Sequence, residues 1–465
     1  MRLVESKRHN ADDICIFEWN DSPGGRVKSL YGVGPDGDFV VDAGAYRYVP
    51  SNDNGIGENN WYPGANYDPF TMPPPLWYVT PITSYLIQEK FKLSTLCYST
   101  AEFCLARKIV DASGRNAGFF TLVNSMINEI IDAGVHLYYS HKLTSISQSD
   151  AAGSKKLTFE TASGVETVET VDYLFLNTGL SPTLDIVRSS SIPMHDDFLK
   201  NMVALRPQFA RKLYLFYKDA WWKTILNKHD GTFSQPGDFD KVPLEGRYHD
   251  GDVNCNNSTG TCSGFLLALY SRDDNDEGSS FLRRFQEHIT NPITTLTNDT
   301  PEGRVLLTSA HEALMAHPDH QAAASLTIAE PTVAVMSTWN IASEGFGSCN
   351  HVWFDRDKEV LVRTGLQDLG IYLVNEAYSL DQHGWAEGSF GVADKVLEDK
   401  FGIEPYPIQK NPFPADQDIY IGLILSAYGV NGIADCSTGA LYGLCEDEEI
   451  DVIMKSYCPF ACNSA

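Results

Sequence analysis

Four sets of residues in this chain have types and spacing that could do chemistry together. Glu18 closes the apolar run Ile14-Cys15-Ile16-Phe17, and Gly24-Gly25-Arg26 follow shortly after. An acid at a strand end can accept hydrogen bonds from ribose hydroxyls. Paired glycines let the backbone approach a ligand, and arginine can neutralise a diphosphate. Asp42-Ala43-Gly44-Ala45 comes next, with Arg47 just beyond; its guanidinium fork suits a carboxylate, although an ordinary strand arginine explains it too. Lys212 opens the run KLYLFYKDAWW, whose alternation puts Lys212, Tyr214 and Phe216 on one face. A lysine on an aromatic face needs a reason, with a surface lysine as the plain alternative. Near the far end Glu376 closes the run IYLVNE, and Gly384-Trp385-Ala386 opens a helical stretch. The free N–H groups of that helix start can donate to oxygen acceptors.

One motif is a decoy. Gly32-Val33-Gly34-Pro35-Asp36-Gly37 satisfies GxGxxG. A phosphate site of that kind needs a strand before the glycines and a helix after them. Here Pro35 and Asp36 lead straight into Phe39-Val40-Val41, so the glycines predict a hairpin turn.

The elements that must position these residues mix strands and helices. Short strands are expected at Ile14–Phe17, Phe39–Asp42, Val135–Tyr139, Lys156–Glu160, Tyr173–Leu176, Lys212–Tyr217, Phe265–Tyr270 and Ile371–Val374. A helical period runs from Phe120 to Ala133, and a second helix covers Gly388–Lys400. This implies an α/β or mixed α+β chain with an interrupted nucleotide domain. Residues 51–81 read as an excursion, and the prolines from Pro405 onward as a linker into a Cys-bearing tail.

Taken in order, FEWNDSPGGRVKSL…VVDAGAYRYVP and IYLVNEAYSLDQHGWAEGS resemble the two end motifs of the FAD-dependent amine oxidase family, which includes monoamine and L-amino-acid oxidases. The stretch Asn116–Gly179 is similar to that family's middle block. The resemblance covers roughly 200 residues in four blocks, and the end motifs are its specific part. It implies a discontinuous Rossmann-like FAD-binding domain from residues 1–50, 111–185 and 365–404. A mixed-sheet substrate domain would comprise 51–110 and 186–364, and 405–465 would be the linker and tail. Glu18, Gly24, Gly25, Arg26, Gly44, Ala45, Leu143, Glu376, Trp385 and Ala386 would contact the cofactor, Leu143 standing where the family has an adenine-contacting valine. Lys212 would hold a water against the reactive flavin nitrogen, and Trp385 would wall the substrate site, with a plain core tryptophan as the alternative. Arg47 would pair with a substrate carboxylate, although Tyr46 replaces the family's more usual methionine. Trp339, His351 and Trp353 could line the cavity, and Cys349 lies near a covalent flavin position, but Asn350 departs from that pattern.

The implied reaction is oxidation of the C–N bond of an amine or L-amino acid to an imine, with O2 reduced to hydrogen peroxide. The alternatives left open are a flavin-dependent desaturase or isomerase of a hydrophobic substrate, and a non-catalytic member of the fold. The family's opening strand and Gly-rich loop, roughly 30 residues, would precede Met1. The expectation is therefore weakened FAD binding, with occupancy restored by an upstream segment.

Bulk properties constrain partners. The formal charge of −26 argues against nucleic acid, because phosphate binding needs clustered Lys and Arg. No apolar stretch is long enough to span a bilayer; Ile419 to Ala434 is short and broken by glycines. No CxxC pair starts a zinc site, so no metal is expected. Cys255 and Cys262 flank a small polar loop, and Cys436, Cys445, Cys458 and Cys462 crowd the tail. These spacings permit disulfides, and sequons at Asn256, Asn257 and Asn298 lean towards secretion. Secretory and cytoplasmic locations both stay open, as does a homodimer.

Overall fold

Alternating apolar residues along Ala210–Tyr217 make this strand the centre of a six-stranded sheet, and all eight of its residues are buried. The sheet order is Thr232–Gln235, Leu244–Asn256, Thr261–Ser271, Ala210–Tyr217, Val333–Trp339, Ile293–Thr297, with every neighbouring pair antiparallel. Each face carries its own core, as strand alternation requires. Leu213, Leu215 and Tyr217 pack with Trp221, Trp222, Leu306 and Leu314, which brings the helix Pro301–Ala316 onto one face. Tyr214 and Phe216 pack with Phe265, Leu267, Phe39 and Val41 on the other.

The structure is a computed structural model that describes residues 1–49, 80–97, 106–149, 153–164, 166–194, 197–202, 204–235, 242–256, 260–272, 277–285, 292–339, 350–353, 356–379 and 384–407. The chain divides into two units, Met1–Asp53 with Val79–Tyr406, and Asn54–Tyr78 with Pro407–Ala465. The second unit lies outside the described residues apart from Pro407, and with it most of the expected excursion and the Cys-bearing tail.

The first unit also holds two short parallel pairs, Cys15–Phe17 with His136–Tyr138 and Leu174–Leu176 with Ile371–Leu373. Parallel strands are covered on both faces, and the second pair shows why. Leu176, Ile371 and Leu373 bury against Ile186, Val187 and Phe198, while Tyr372 and Val374 meet Val392 and Val396 of the helix Ala386–Phe401. The helix Phe120–Asp132 precedes His136–Tyr138. A three-stranded antiparallel meander, His141–Gln148, Lys155–Thr161 and Glu166–Val171, completes this part. The chain is therefore a mixed helix-and-sheet fold, as expected.

The glycine-rich decoy is a hairpin. Ser29–Val33 pairs antiparallel with Phe39–Asp42, and Gly34 between them takes φ +95°, a region that favours glycine. This hairpin lays Phe39 and Val41 on the large sheet and delivers Asp42 to Gly44 beside its central strand.

Candidate functional site

The central strand and the hairpin meet in register. Phe216 packs on Phe39 with ring centroids 6.0 Å apart, and the Tyr214 hydroxyl donates to the Asp42 carbonyl at 3.1 Å. The Lys212 ammonium donates to the Gly44 carbonyl at 2.7 Å and to the Asp42 carbonyl at 3.3 Å. From the neighbouring strand, Trp339 Nε1 donates to the Ala43 carbonyl at 2.8 Å. Three successive carbonyls of this turn thus each accept a side chain of the sheet. Lys212 is 3% exposed and lies 4.1 Å from the Tyr46 ring centroid, so its charge is held by carbonyls and an aromatic face. The alternation expected for Lys212, Tyr214 and Phe216 is the one observed.

Asp42 anchors the turn from its other side. Its carboxylate accepts hydrogen bonds from Ser29 Oγ, from Phe119 N at 2.8 Å and from Asn116 Nδ2 at 3.1 Å. Burial pushes its carboxyl up from the usual range, and these donors oppose that shift.

The early segment joins the same turn. Gly44 N donates to the Lys28 carbonyl at 3.1 Å and Ala45 N to the Arg26 carbonyl at 3.0 Å. A Cβ on Gly44 would stand 1.9 Å from the Arg26 carbonyl oxygen, so the two backbones approach closer than any other residue allows. Gly24 and Gly25 take φ +99° and +52° and turn the chain towards Arg26. Arg26 then reaches across the molecule: Nη1 donates to Glu376 Oε1 at 2.6 Å and Nη2 to Asn375 Oδ1 at 3.0 Å. Glu376, 3% exposed, also accepts Gly384 N at 3.0 Å through Oε2. The two end segments, 350 residues apart, are therefore held together by a largely buried ion pair.

Glu18 continues the Cys15–Phe17 strand, its N–H donating to the Tyr138 carbonyl at 2.8 Å. Its Oε1 accepts from Asn20 N at 2.8 Å and Asn20 Nδ2 at 3.0 Å, and burial pushes its carboxyl up. Trp385 and Ala386, both half-buried, sit at the start of the helix Ala386–Phe401, whose N-cap Trp385 makes no side-chain capping bond. Leu143 faces Phe159 in the meander and packs at the edge of the parallel-strand core. Arg47 is half-buried over the Tyr46 ring, 5.0 Å from its centroid. Cys349 and the side chains of His351 and Trp353 lie outside the described residues.

Beside Tyr214 a cavity of about 10 Å³ is lined by Asp42, Tyr46, Asn116, Tyr214, Asp250 and Phe265; that is room for one water. Sequence reasoning did not single out Asp250, which is buried, its ion-pair partner Arg247, or Tyr270, over whose ring Arg247 and Arg272 lie. The signal was faint: Arg247 lies in one strand, Tyr270 in the next with Arg272 just beyond its end, and only sheet pairing relates the two segments.

No group of three or more His, Cys, Asp or Glu able to hold a metal occurs among the described residues, and no helix there is long and apolar enough to cross a membrane.

Comparison with known proteins adds three findings. Residues 430–464 match the model of the ShK domain-like family. No curated protein matches. Among solved structures the chain is similar to a single-substitution variant of putrescine oxidase redesigned in cofactor binding, at 13% identity and TM-score 0.40, over 65% of this chain and 55% of that one. It is also similar to a triple variant of that enzyme at 12% identity and TM-score 0.47, over 83% of this chain and 92% of that one. The wild-type enzyme bound to putrescine aligns at 12% identity and TM-score 0.44, over 83% and 93%.

Proposed function

We propose that this chain is an FAD-dependent oxidoreductase that oxidises the C–N bond of an amine or L-amino acid, with dioxygen reduced to hydrogen peroxide. One observation carries the reading. The Arg26–Glu376 ion pair brings together the two end segments singled out in the sequence, and the Gly44 turn that Arg26 abuts is the one Lys212 grips.

The residues fit a flavin nucleotide in kind. Glu18 is a half-buried acid at the end of a parallel strand, Gly24 and Gly25 adopt left-handed backbone, and Glu376 beside Asn375 meets Arg26 from the other end segment. Glu18 would take the ribose, and Gly24, Gly25 and Arg26 would face the diphosphate. Leu143 would lie against the adenine. Gly44, Ala45, Glu376, Trp385 and Ala386 would line the rest. When bound, the flavin supplies the acceptor for the hydride that leaves the carbon bearing the amine. Lys212, as a buried cation with donor protons, would hold a water at the reacting centre. Trp385 would exclude bulk water and align the amine, and Arg47 would clamp a substrate carboxylate.

A second reading rests on the same ion pair. Arg26 and Glu376 satisfy each other in this structure, which suits a non-catalytic relative that kept the fold.

The deciding experiment titrates FAD into the purified chain, follows flavin fluorescence, and then assays peroxide across amines and amino acids. Flavin capture with turnover, reduced at least about 100-fold in Lys212→Met, supports the oxidase. Flavin capture without peroxide from any amine favours a desaturase or isomerase. No flavin capture at all leaves the binding-protein reading. Arg47→Ala should weaken turnover of amino acids but not of simple amines; equal losses on both remove its carboxylate role.

A further inference from the structure

The strand Leu244–Asn256 breaks step with its neighbour at one place. Between the Arg247–Leu267 and Asp252–Phe265 pairs it advances five residues while Thr261–Ser271 advances two. Such a bulge re-aims side chains, here those of His249 and Asp250. Gly251 lets it lie close to the sheet, since a Cβ there would stand 2.0 Å from the Phe265 carbonyl oxygen. Tyr248 N donates to the Gly231 carbonyl at 3.2 Å, which sets Asp230 against the bulge.

Three titratable groups then stand in line. Asp230 Oδ1 lies 3.3 Å from His249 Nδ1, and His249 Nε2 lies 3.2 Å from Asp250 Oδ1. Their side chains are 21%, 13% and 1% exposed, so the line runs from the rim inwards. Asp250 ends it at the one-water cavity beside Tyr214. Arg247 offsets the Asp250 charge from 3.8 Å and Lys108 lines the same cavity, but neither Asp250 oxygen accepts a hydrogen bond among the described residues. The cavity has room for the water that such a buried carboxylate calls for. It also reaches the lysine. The Tyr214 hydroxyl and the Lys212 ammonium both donate to the Asp42 carbonyl, and Tyr46, whose ring Lys212 covers, is a second wall.

We propose that Asp250, His249 and Asp230 form a proton relay between the cavity beside Lys212 and solvent. The relay stands on these contacts; its use in turnover rests on the oxidase reading above. An amine that arrives as ammonium sheds one proton before its carbon can release hydride. That proton passes through the cavity water to Asp250 and on to His249 Nε2, while the proton on Nδ1 leaves to Asp230 and solvent. Run inwards, the same line supplies one of the two protons that dioxygen takes up in becoming hydrogen peroxide; the other left the substrate within the hydride. Only a neutral imidazole can take the outgoing proton. Burial holds the His249 pKa below 6.5, Asp250 and Asp230 oppose that shift, and Arg247 and Arg47 add to it, so the ring is uncharged at neutral pH.

The test has two readouts in His249→Gln, Asp250→Asn and Asp230→Asn. The first needs no turnover: exchange of the Tyr214 hydroxyl proton with solvent, followed by NMR on ring-labelled tyrosine and assigned with Tyr214→Phe. Exchange should slow about tenfold or more in the His249 and Asp250 variants, and in the same direction in Asp230→Asn, whose place at the rim spares the core. The Tyr217 hydroxyl, buried 3.2 Å from His311 Nδ1, is the control and should not change. Unchanged Tyr214 exchange, or Tyr214 and Tyr217 changing together, overturns the relay. The second readout is peroxide release against pH. Wild-type turnover should fall as pH drops through the His249 pKa; His249→Gln should lose that limb and cut kcat about tenfold or more, with KM held. A turning-over variant with an unmoved profile removes the relay from the reaction. Slowed Tyr214 exchange in a chain that yields no peroxide keeps the relay and sinks the oxidase reading. Turnover with exchange and pH profile both unmoved in the variants does the reverse.

Discussion

Replacing His320 by glutamine probes how the helical segment Pro301–Ala324 is locked to the large sheet. His320 is fully buried, with Nδ1 2.6 Å from the Leu314 carbonyl and Nε2 2.5 Å from the Tyr248 hydroxyl. A carbonyl only accepts, so Nδ1 carries the proton and Nε2 accepts from Tyr248. The ring is thereby neutral and satisfied at both ends, with Trp221 and Phe233 each 5.0 Å away and His317 at 4.9 Å. Burial pushes its pKa from 6.5 down to about 4; nearby His317 and Lys228 act the same way, and Asp319 opposes them. The folded state thus refuses a proton that the unfolded chain accepts. The lock contributes fully above pH 6.5 and weakens as pH falls, reaching its limit near pH 4. Moving a pKa that far corresponds to about 3 kcal/mol. Asp42, Glu18 and Glu387, whose carboxyls burial raises, work in the opposite sense and gain stability as pH falls. The difference between wild type and His320→Gln isolates the histidine. Urea unfolding from about pH 7 to about pH 4.5 should show the variant less stable at neutral pH but with a shallower acid loss. Two stability curves that run parallel across that range would refute the assignment.

Three further perturbations follow from the site. Arg26→Ala strands Glu376 as a buried charge and should cost about 3–5 kcal/mol by urea midpoint, with the Arg26→Ala/Glu376→Ala double variant recovering part of it; a double variant as unstable as the single removes the pair from the account. Gly44→Ala forces a Cβ against the Arg26 carbonyl and should lower the melting temperature sharply, so a near-native melt contradicts the close backbone approach. Cys255 and Cys262 stand opposite each other and form a disulfide across the hairpin; serine at both should cost about 2 kcal/mol, and reductant should lower wild-type stability but not that of the variant.

Much of the site was legible because strand ends and alternation obey simple geometry. Glu18 and Glu376 were visible as acids closing apolar runs, and Lys212 as a cation on an aromatic face, since a period of two survives any tertiary context. The hairpin was legible from Pro35 and the glycines, which forbid the helix a phosphate loop requires. The strand Leu244–Asn256 was not. Its thirteen residues are largely polar, and its pairing shifts between Arg247 and Asp252, so no alternation announces it. The helix Pro301–Ala316 had a readable start, Thr300 capping Gly303 N with Pro301 behind it, that the sequence reading did not use.

The 350-residue span between Arg26 and Glu376 also sets a timetable for synthesis. At ribosomal speeds of about 5–20 residues per second, the arginine emerges roughly 20–70 s before the glutamate that answers it. The strand Ile371–Leu373, which pairs with Leu174–Leu176, arrives equally late. Throughout that interval the nascent chain presents an unanswered cation and an open strand edge to the cytosol or translocon. Folding of this half thus closes only once residue 376 has been made, and nascent chains stalled short of Glu376 should depend on chaperones.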